Sequence, residues 1–250
     1  MIDNYVTGAS GFIGSHLMKK LSGKTVAVEH GRMVYDDADK LFLLSTYGNM
    51  AHHTDHMMMV SANVADVLWW LGQGVVKGWF CYMSSSSVTL PVQTPYSRTK
   101  RAAEEILQAL PELKSCIVRP YSVTGVGEQK EHLIPTLIRS CMEGEEMPFD
   151  PEPVHDFIDV EDVVYGLIRL SESGATGIHE FGSCIPESNQ YVKYCVENAC
   201  GQKANLKLTK FLRDYDNREW YCKNPSKFFA RRKSLRDSVY NMVEDYKSTH

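Results

Sequence analysis

At 250 residues, with 43% hydrophobic and 23% charged residues, the chain has the content of one large globular domain, or of a core domain with a smaller lobe. A net charge of −4 gives no electrostatic footprint for nucleic acid, and no apolar run approaches the roughly 18 residues of a membrane span. Seven scattered cysteines (81, 116, 141, 184, 195, 200 and 222) without a CxxC pair argue against a disulfide framework or a structural zinc site.

The opening residues, Met1 to Val6, have neither the basic region nor the apolar run of a signal peptide. With the reduced-thiol pattern, this makes a cytoplasmic protein the expectation. Tyr5-Val6 ends a short strand, and Gly8, Gly11 and Gly14 fall where that strand turns into a helix carrying Ile13, Leu17 and Leu21, with Gly23 as its stop. In such a turn the first glycine permits the tight bend, the second admits a pyrophosphate close to the backbone, and the third lets helix and strand pack closely. The helix N-terminus offers free N–H groups to the phosphates. This is the pattern of a dinucleotide site.

Thr25 to Val28 is the next strand. Glu29 at its end is placed to accept hydrogen bonds from adenosine ribose hydroxyls, as NAD requires. His30 and Arg32 come at once after it and could meet a 2′-phosphate, so NADP stays open. Leu41 to Leu44 is a buried-type strand, with Ser45, Thr46, Tyr47 and Gly48 next. A long helix is expected from about 55 to 71, with Val60, Val64, Val67, Leu68 and Leu71 as its apolar stripe and Asn63 within it. Trp69 and Trp70 are adjacent and cannot both face inward. His52, His53 and His56 with Asp55 lack an evident third ligand group, so no metal is expected.

Trp79 to Met83 reads as a strand that ends at the four serines 84–87. Tyr96 and Lys100 lie four residues apart at the start of a good helix former, on one face. A tyrosine of ordinary pKa near 10 is a poor base at neutral pH, and about 4 kcal/mol of differential stabilisation is needed to bring it near 7; a neighbouring cation acts in that direction. The serines supply hydroxyls that could polarise a substrate oxygen. Ser115 to Pro120 is the next strand. The pattern loosens over 126–154, where a lobe insertion is expected, and a helix is expected from about Val163 to Ser171. The tail holds two helical stretches, the last with Leu235, Val239, Met242 and Val243 on one stripe. Lys227, Arg231, Arg232, Lys233 and Arg236 form a basic cluster that reads as a solvated face.

Taken together, these segments resemble the extended short-chain dehydrogenase/reductase family, the NAD-dependent epimerases and dehydratases of nucleotide sugars. Residues 7–17 resemble TGxxGxxG, 43–48 HLAAxxG, 61–64 the helix-borne NV, 84–88 SSSxVYG and 96–100 YxxSK. Residues 119–125 resemble RPxNxYGPG, 155–163 RDFxxVxDV and 177–183 GxxxNxGS. The resemblance implies a doubly wound α/β core, a Rossmann fold with a parallel sheet, made of 1–125 and 155–182, and a substrate lobe made of 126–154 and 183–250. It implies Tyr96 as acid/base, Lys100 as the holder of the nicotinamide ribose and the depressor of the Tyr96 pKa, and Ser85 as the catalytic hydroxyl, with Ser84 and Ser86 as alternatives. Gly8, Gly11, Phe12, Ile13 and Gly14 would cradle the pyrophosphate and Glu29 the adenosine ribose. Ser45, Thr46, Tyr47, Asn63 and Tyr121 would line the NAD site. Ser86, Ser87, Ser122, His132, Leu133 and His155 would meet the sugar nucleotide, expected to be UDP-linked. A homodimer through the Asn63 and Tyr96 helices is implied in the same way.

Departures from the family pattern narrow the reading. Only 11 residues separate Glu29 from Leu41, where the family fits another strand, a helix and an adenine-contacting acid; Asp36 or Asp37 could supply that acid. The Ser85-to-Tyr96 connection is short, Thr89-Leu90 stands for Tyr-Gly, Ser122 for Asn, and His155 for an arginine that meets a nucleotide phosphate. Ser86-Ser87 stands where the dehydratases carry Asp-Glu, so water elimination is disfavoured. The expected activity is a nucleotide-sugar epimerase acting at carbon 4. The rivals are an NADP-linked keto-sugar reductase and a binding protein that kept the fold without the chemistry.

Overall fold

The computed structural model describes residues 1–49, 52–210 and 218–249. The chain divides into two compact units, Met1–Pro120 with Val164–Glu180 and Tyr121–Val163 with Phe181–His250. The sequence places the corresponding divisions at 125/126, 154/155 and 182/183.

The first unit is built on a six-stranded sheet. It contains β1 (Ile2–Thr7), β2 (Thr25–Val28), β3 (Ala38–Leu43), β4 (Val76–Met83), β5 (Ser115–Pro120) and β10 (Gly177–Phe181), in the order β10-β5-β4-β3-β1-β2. Pairings β2/β1, β1/β3, β3/β4 and β4/β5 are all parallel. The strands read as near-continuous apolar runs because helices cover a parallel sheet. Leu41, Phe42, Leu43, Phe80, Cys81, Tyr82, Cys116, Ile117 and Val118 are accordingly buried. The chain steps from β1 outward to β2 and then back across β1 to β3, which makes the carboxyl ends of β1 and β3 a topological switch point, the usual crevice for a ligand in such sheets. β2 is an edge strand, and residues 29–37 cross back to β3 with no further strand outside it.

Helix α1 (Phe12–Met18) begins after the glycine turn and stops at Lys19, short of the expected Gly23. The expected 55–71 helix is three segments in succession: α2 (His56–Val60), a π-helical turn (Ser61–Ala65) and α3 (Asp66–Gln73). Asp55 caps it by accepting the Met58 N–H at 2.9 Å. Its buried face differs from the expected stripe. Met59, Asn63, Asp66, Val67 and Trp70 are inside, whereas Val60 and Leu68 are exposed. Two polar residues occupy core positions here because their bonding capacity is met internally, and a purely apolar count misses them. Trp70 packs against Tyr5 at 5.7 Å, and Trp69 is the outward one of the pair. Helix α4 (Pro95–Gln108) begins with Thr94 as N-cap, accepting the Ser97 N–H at 3.2 Å, and with Pro95 in the first turn, where a missing N–H costs nothing.

In the second unit, β6 (Ser122–Thr124) pairs with β9 (Phe157–Asp159), β7 (Met147–Phe149) with β12 (Leu206–Leu208), and β8 (Val154–His155) lies between β11 (Glu187–Ser188) and β13 (Glu219–Trp220). α5 (Leu133–Glu143), α7 (Asn189–Cys200) and α8 (Leu235–Thr249) enclose a core that includes Ile134, Leu137, Val192, Val196, Leu235, Val239, Met242 and Val243. α5 occupies the stretch whose sequence pattern loosens; Pro135 sits in its first turn and does not break it. α6 (Val160–Ser173) carries the chain from this unit into the first. The basic cluster is bonded rather than merely solvated: Arg231 pairs with Glu187 at 3.1 Å and Lys233 with Asp159 at 3.3 Å. No helix among the described residues is long and apolar enough to cross a membrane.

Candidate active site

The glycine turn leaves β1 with Gly8 at φ +63°, in the left-handed region where a side chain is strained. A Cβ on Gly8 would lie 2.8 Å from the Ser45 nitrogen, and one on Gly14 only 2.0 Å from the Gly8 carbonyl oxygen. Gly11 is the N-cap of α1, and no side chain caps that helix, so the first-turn N–H groups of Phe12, Ile13 and Gly14 face outward from the end of β1. The two glycines thus let the turn pack directly on the end of β3 and α1 pack on the turn. Glu29 is exposed just past the end of β2. The neighbouring His30 is engaged, its Nδ1 3.2 Å from Asp66 and its Nε2 3.3 Å from the Ser61 hydroxyl. Asp37 lies 3.4 Å from Lys77, and Asp36 gives its carbonyl to the Tyr5 hydroxyl at 2.8 Å.

The end of β3 is fixed by polar bonds across the switch point. Thr7 Oγ1 accepts the N–H groups of Leu44 (3.1 Å) and Ser45 (3.2 Å). Ser45 donates to Asp66 at 2.7 Å, leaving Thr7 to donate to Ser45 at 2.9 Å. The fully buried Asn63 organises the loop beyond Ser45. Its Oδ1 accepts from Thr46 Oγ1 (3.0 Å) and Tyr47 N (3.1 Å), and its Nδ2 donates to Tyr47 O (2.8 Å) and Thr99 Oγ1 (2.9 Å). Every polar atom of that side chain is consumed inside the protein. Asn63 therefore holds Thr46, Tyr47 and α4 together.

The four serines separate into distinct tasks. Ser84, buried, donates to Glu104. Ser86, with no exposed surface, donates to the Pro120 carbonyl at 2.7 Å. Both hydroxyl protons are thus given to groups within the protein. Ser85 is the N-cap of a 3₁₀ turn, Ser86–Thr89, and its oxygen accepts from Ser87 N (3.2 Å) and Ser87 Oγ (2.9 Å). With both lone pairs used, its own proton is free to point elsewhere, and its hydroxyl favours the Tyr96 phenolate. The short connection to α4 is stitched by Gln93 and Arg101, which donate to the carbonyls of Leu90 and Val88.

Tyr96 is half-buried, and burial pushes its phenol above the ordinary value, while the nearby Thr46 and Ser85 hydroxyls act the other way. Lys100, one turn along α4 and 1% exposed, donates to the Met83 carbonyl at 2.8 Å and lies 4.7 Å from the centre of the Tyr82 ring. Burial lowers it to about 7, opposed by Glu104 and then Asp66. A phenol flanked by two hydroxyls, with a lysine poised to lose its charge near neutrality one turn away, is equipped to move a proton. Sequence reasoning overlooked Glu104 and Asp66. The first was legible as a further i+4 step after Tyr96 and Lys100, the second as an acid on the inner face of an apolar helix.

In the second unit, Tyr121 is buried against Trp220 at 5.7 Å, and Ser122 donates its N–H to the Asp156 carbonyl at 3.0 Å. His155 lies edge-on to Phe157 and Trp220. His132 caps α5 and its Nδ1 is 2.9 Å from Glu128, while Leu133 packs on that unit's core. His53, in the first unit, stacks on Tyr47 at 4.2 Å and accepts the Gly48 N–H. Among the described residues, no group of three or more potential metal ligands is assembled.

Residues 76–181 match the model of the NAD dependent epimerase/dehydratase family. No curated protein matches the chain. Solved structures similar to it include MoeE5 in complex with UDP-glucose and NAD (24% identity, 99% of both chains, TM-score 0.87). Others are UDP-N-acetylglucosamine 4-epimerase from Methanobrevibacter ruminantium M1 (18%, 100% of both chains, 0.85) and RMD from Pseudomonas aeruginosa complexed with NADPH (18%, 100% of both chains, 0.83). At these identities the likeness is one of fold, and it confirms the expected doubly wound α/β architecture. The matched residues, 76–181, hold the four serines, Tyr96 and Lys100.

Proposed function

We propose that the protein is an NAD-dependent nucleotide-sugar epimerase acting at carbon 4 of a UDP-linked sugar. The observation that carries this reading is Tyr96 and Lys100 one turn apart on α4, with the Ser85 hydroxyl acting on the phenol, in the stretch that matches the epimerase/dehydratase model. The turn formed by Gly8, Gly11, Phe12, Ile13 and Gly14 fits a pyrophosphate, because the N-terminus of α1 has no side-chain cap and its first N–H groups are left for an anion. Glu29 receives the adenosine ribose hydroxyls, and Ser45, Thr46, Tyr47 and Tyr121 line the rest of the NAD site. Bound NAD supplies the reversible hydride acceptor that inversion at a hydroxyl-bearing carbon requires.

Tyr96 takes the proton of the sugar hydroxyl as that carbon is oxidised and gives one back after the keto-sugar has turned over. Ser85 donates to the same sugar oxygen, most strongly as charge builds on it, and Ser87 keeps the Ser85 proton pointed there. Lys100 offsets the phenolate charge. Ser87, Ser122, His132, Leu133 and His155 are assigned to the sugar nucleotide. The protein acts as a cytoplasmic homodimer, a reading supported by Met57, Met58, Leu68 and Trp69, which are exposed on α2 and α3.

The test is incubation with UDP-glucose, UDP-glucuronic acid and UDP-N-acetylglucosamine, with NMR of the products. Conversion to the 4-epimer that disappears in Tyr96→Phe supports the mechanism, and retention of most activity in that variant overturns it. The rival, an NADP-linked keto-sugar reductase, draws on His30 and Arg32 beside Glu29. NAD retained through purification favours the epimerase, and free exchange with preference for NADPH favours the reductase.

A further inference from the structure

We infer that Glu104 is a positioning residue of this site, acting through Lys100 and Ser84 rather than on substrate. The inference rests on the Tyr96 and Lys100 roles proposed above. Tyr96, Lys100 and Glu104 succeed each other at four-residue steps on α4, so they share one face. Glu104 is 1% exposed and its carboxylate is fully engaged. It takes two bonds from Arg119, Nε at 2.9 Å and Nη2 at 2.5 Å, and one from the Ser84 hydroxyl. Ser84 lies between Met83, whose carbonyl receives the Lys100 ammonium, and Ser85, which meets Tyr96. One carboxylate therefore pins the end of β4, β5 and α4 where the hydroxyl, phenol and ammonium converge.

A purely structural Arg–Glu pair would leave the lysine indifferent to it. The groups that face Lys100 are Tyr82 from β4, Asp66 from α3, and Tyr96 and Glu104 from its own helix, with Arg119 of β5 behind Glu104. Burial drives the ammonium toward neutrality, and the largest opposing influence is Glu104, with Asp66 second. Without the Glu104 charge the main influence opposing burial is gone, so the lysine gives up its proton more readily and the phenolate loses its counter-charge.

Three variants test this. Glu104→Gln removes the charge and keeps the shape, Glu104→Asp keeps the charge, and Glu104→Gln/Arg119→Gln removes it without stranding the arginine. The alkaline limb of the kcat–pH profile is expected to move down by about one pH unit or more in both uncharged variants, and to return in Glu104→Asp, with KM little changed. A second readout needs no turnover. In a denaturation cycle with Lys100→Met, Glu104→Gln should be non-additive at about pH 6, where Lys100 is charged, and additive at about pH 9, where it is neutral. An unmoved limb together with additivity at both pH values overturns the inference. Coupling in the cycle when no sugar nucleotide is turned over by the unaltered protein would instead sink the epimerase reading and leave the Glu104–Lys100 link standing.

Discussion

Asn63 Nδ2 donates to Thr99 Oγ1 at 2.9 Å, and Thr99 in turn donates to the Tyr96 carbonyl at 2.8 Å. The π-helical turn is thereby tied to the first turn of the helix that carries the phenol. The same amide holds Thr46 and Tyr47, so one buried side chain sets both Tyr96 and its partner Thr46. A π-helical turn is a rare departure that recurs at functional sites, and here it aims Asn63 inward at both neighbours.

Asn63→Ala should therefore cost about 2–3 kcal/mol of stability, since it leaves buried donors and acceptors of Tyr47, Thr46 and Thr99 unpaired. Activity should fall as well, because Thr46 and the start of α4 lose their common anchor. Urea unfolding gives the first quantity and kcat the second. A loss below about 0.5 kcal/mol would show that the loop holds without it.

The serines differ in what their loss should do. Ser85→Ala should lower kcat by roughly 100-fold with little change in stability, because its hydroxyl acts on the oxygen that gains charge. Ser86→Ala should reverse the pattern, removing about 1 kcal/mol through the orphaned Pro120 carbonyl while kcat stays within a few-fold. Paired thermal melts and initial rates decide the matter. Equal kcat losses in the two variants would contradict the division of labour seen in the hydrogen bonds.

Much of this arrangement is legible in the amino-acid sequence. The glycine turn, the strands at 41–44, 79–83 and 115–120, and the Tyr96–Lys100 spacing each depend on local rules that a sequence displays. The features that escape it depend on partners distant in sequence. Asn63 and Asp66 are polar residues on the inner helix face, satisfied by loops 16–21 residues away, so apolar periodicity selects Val60 and Leu68 instead. The choice among serines 84–87 turns on Glu104 and Pro120, which no motif names. Helix α5 is obscured by Pro135, whose harmlessness comes only from its place in the first turn.

Lys100 offers a prediction about pH. Its folded-state pKa is about 7 against an ordinary 10.5, so between those values the unfolded chain binds the proton that the folded one has released. Wild-type stability should therefore rise with pH across that window, and the penalty for the buried charge should be complete below it. Lys100→Met removes the penalty and leaves the Met83 carbonyl without its donor, an offset of about 1–3 kcal/mol. The expected result is a Tm raised by roughly 2–6 °C at about pH 6.5, little gain at about pH 10, and no activity at either. A lowered Tm at the acid end would show that the lysine carries no such burden.

Two glycines should respond in opposite directions to the same substitution. At Gly14 a Cβ would fall 2.0 Å from the Gly8 carbonyl oxygen and 2.8 Å from its carbon, backbone atoms that cannot swing aside. Gly14→Ala must push α1 away from the end of β1, at a cost of about 3 kcal/mol or more, and it distorts the cradle proposed for the pyrophosphate. At Gly72, inside α3, a Cβ meets nothing within 4 Å and the backbone is helical. Gly72→Ala should stabilise by about 0.5–1 kcal/mol, because alanine loses less freedom in a helix than glycine does. Chemical denaturation compares the two, and NAD titration by fluorescence reads the cradle separately. Gly72→Ala should bind NAD as the parent does, and Gly14→Ala should bind it at least roughly tenfold more weakly wherever it folds. Unchanged binding in folded Gly14→Ala would remove the glycine turn from the cofactor site.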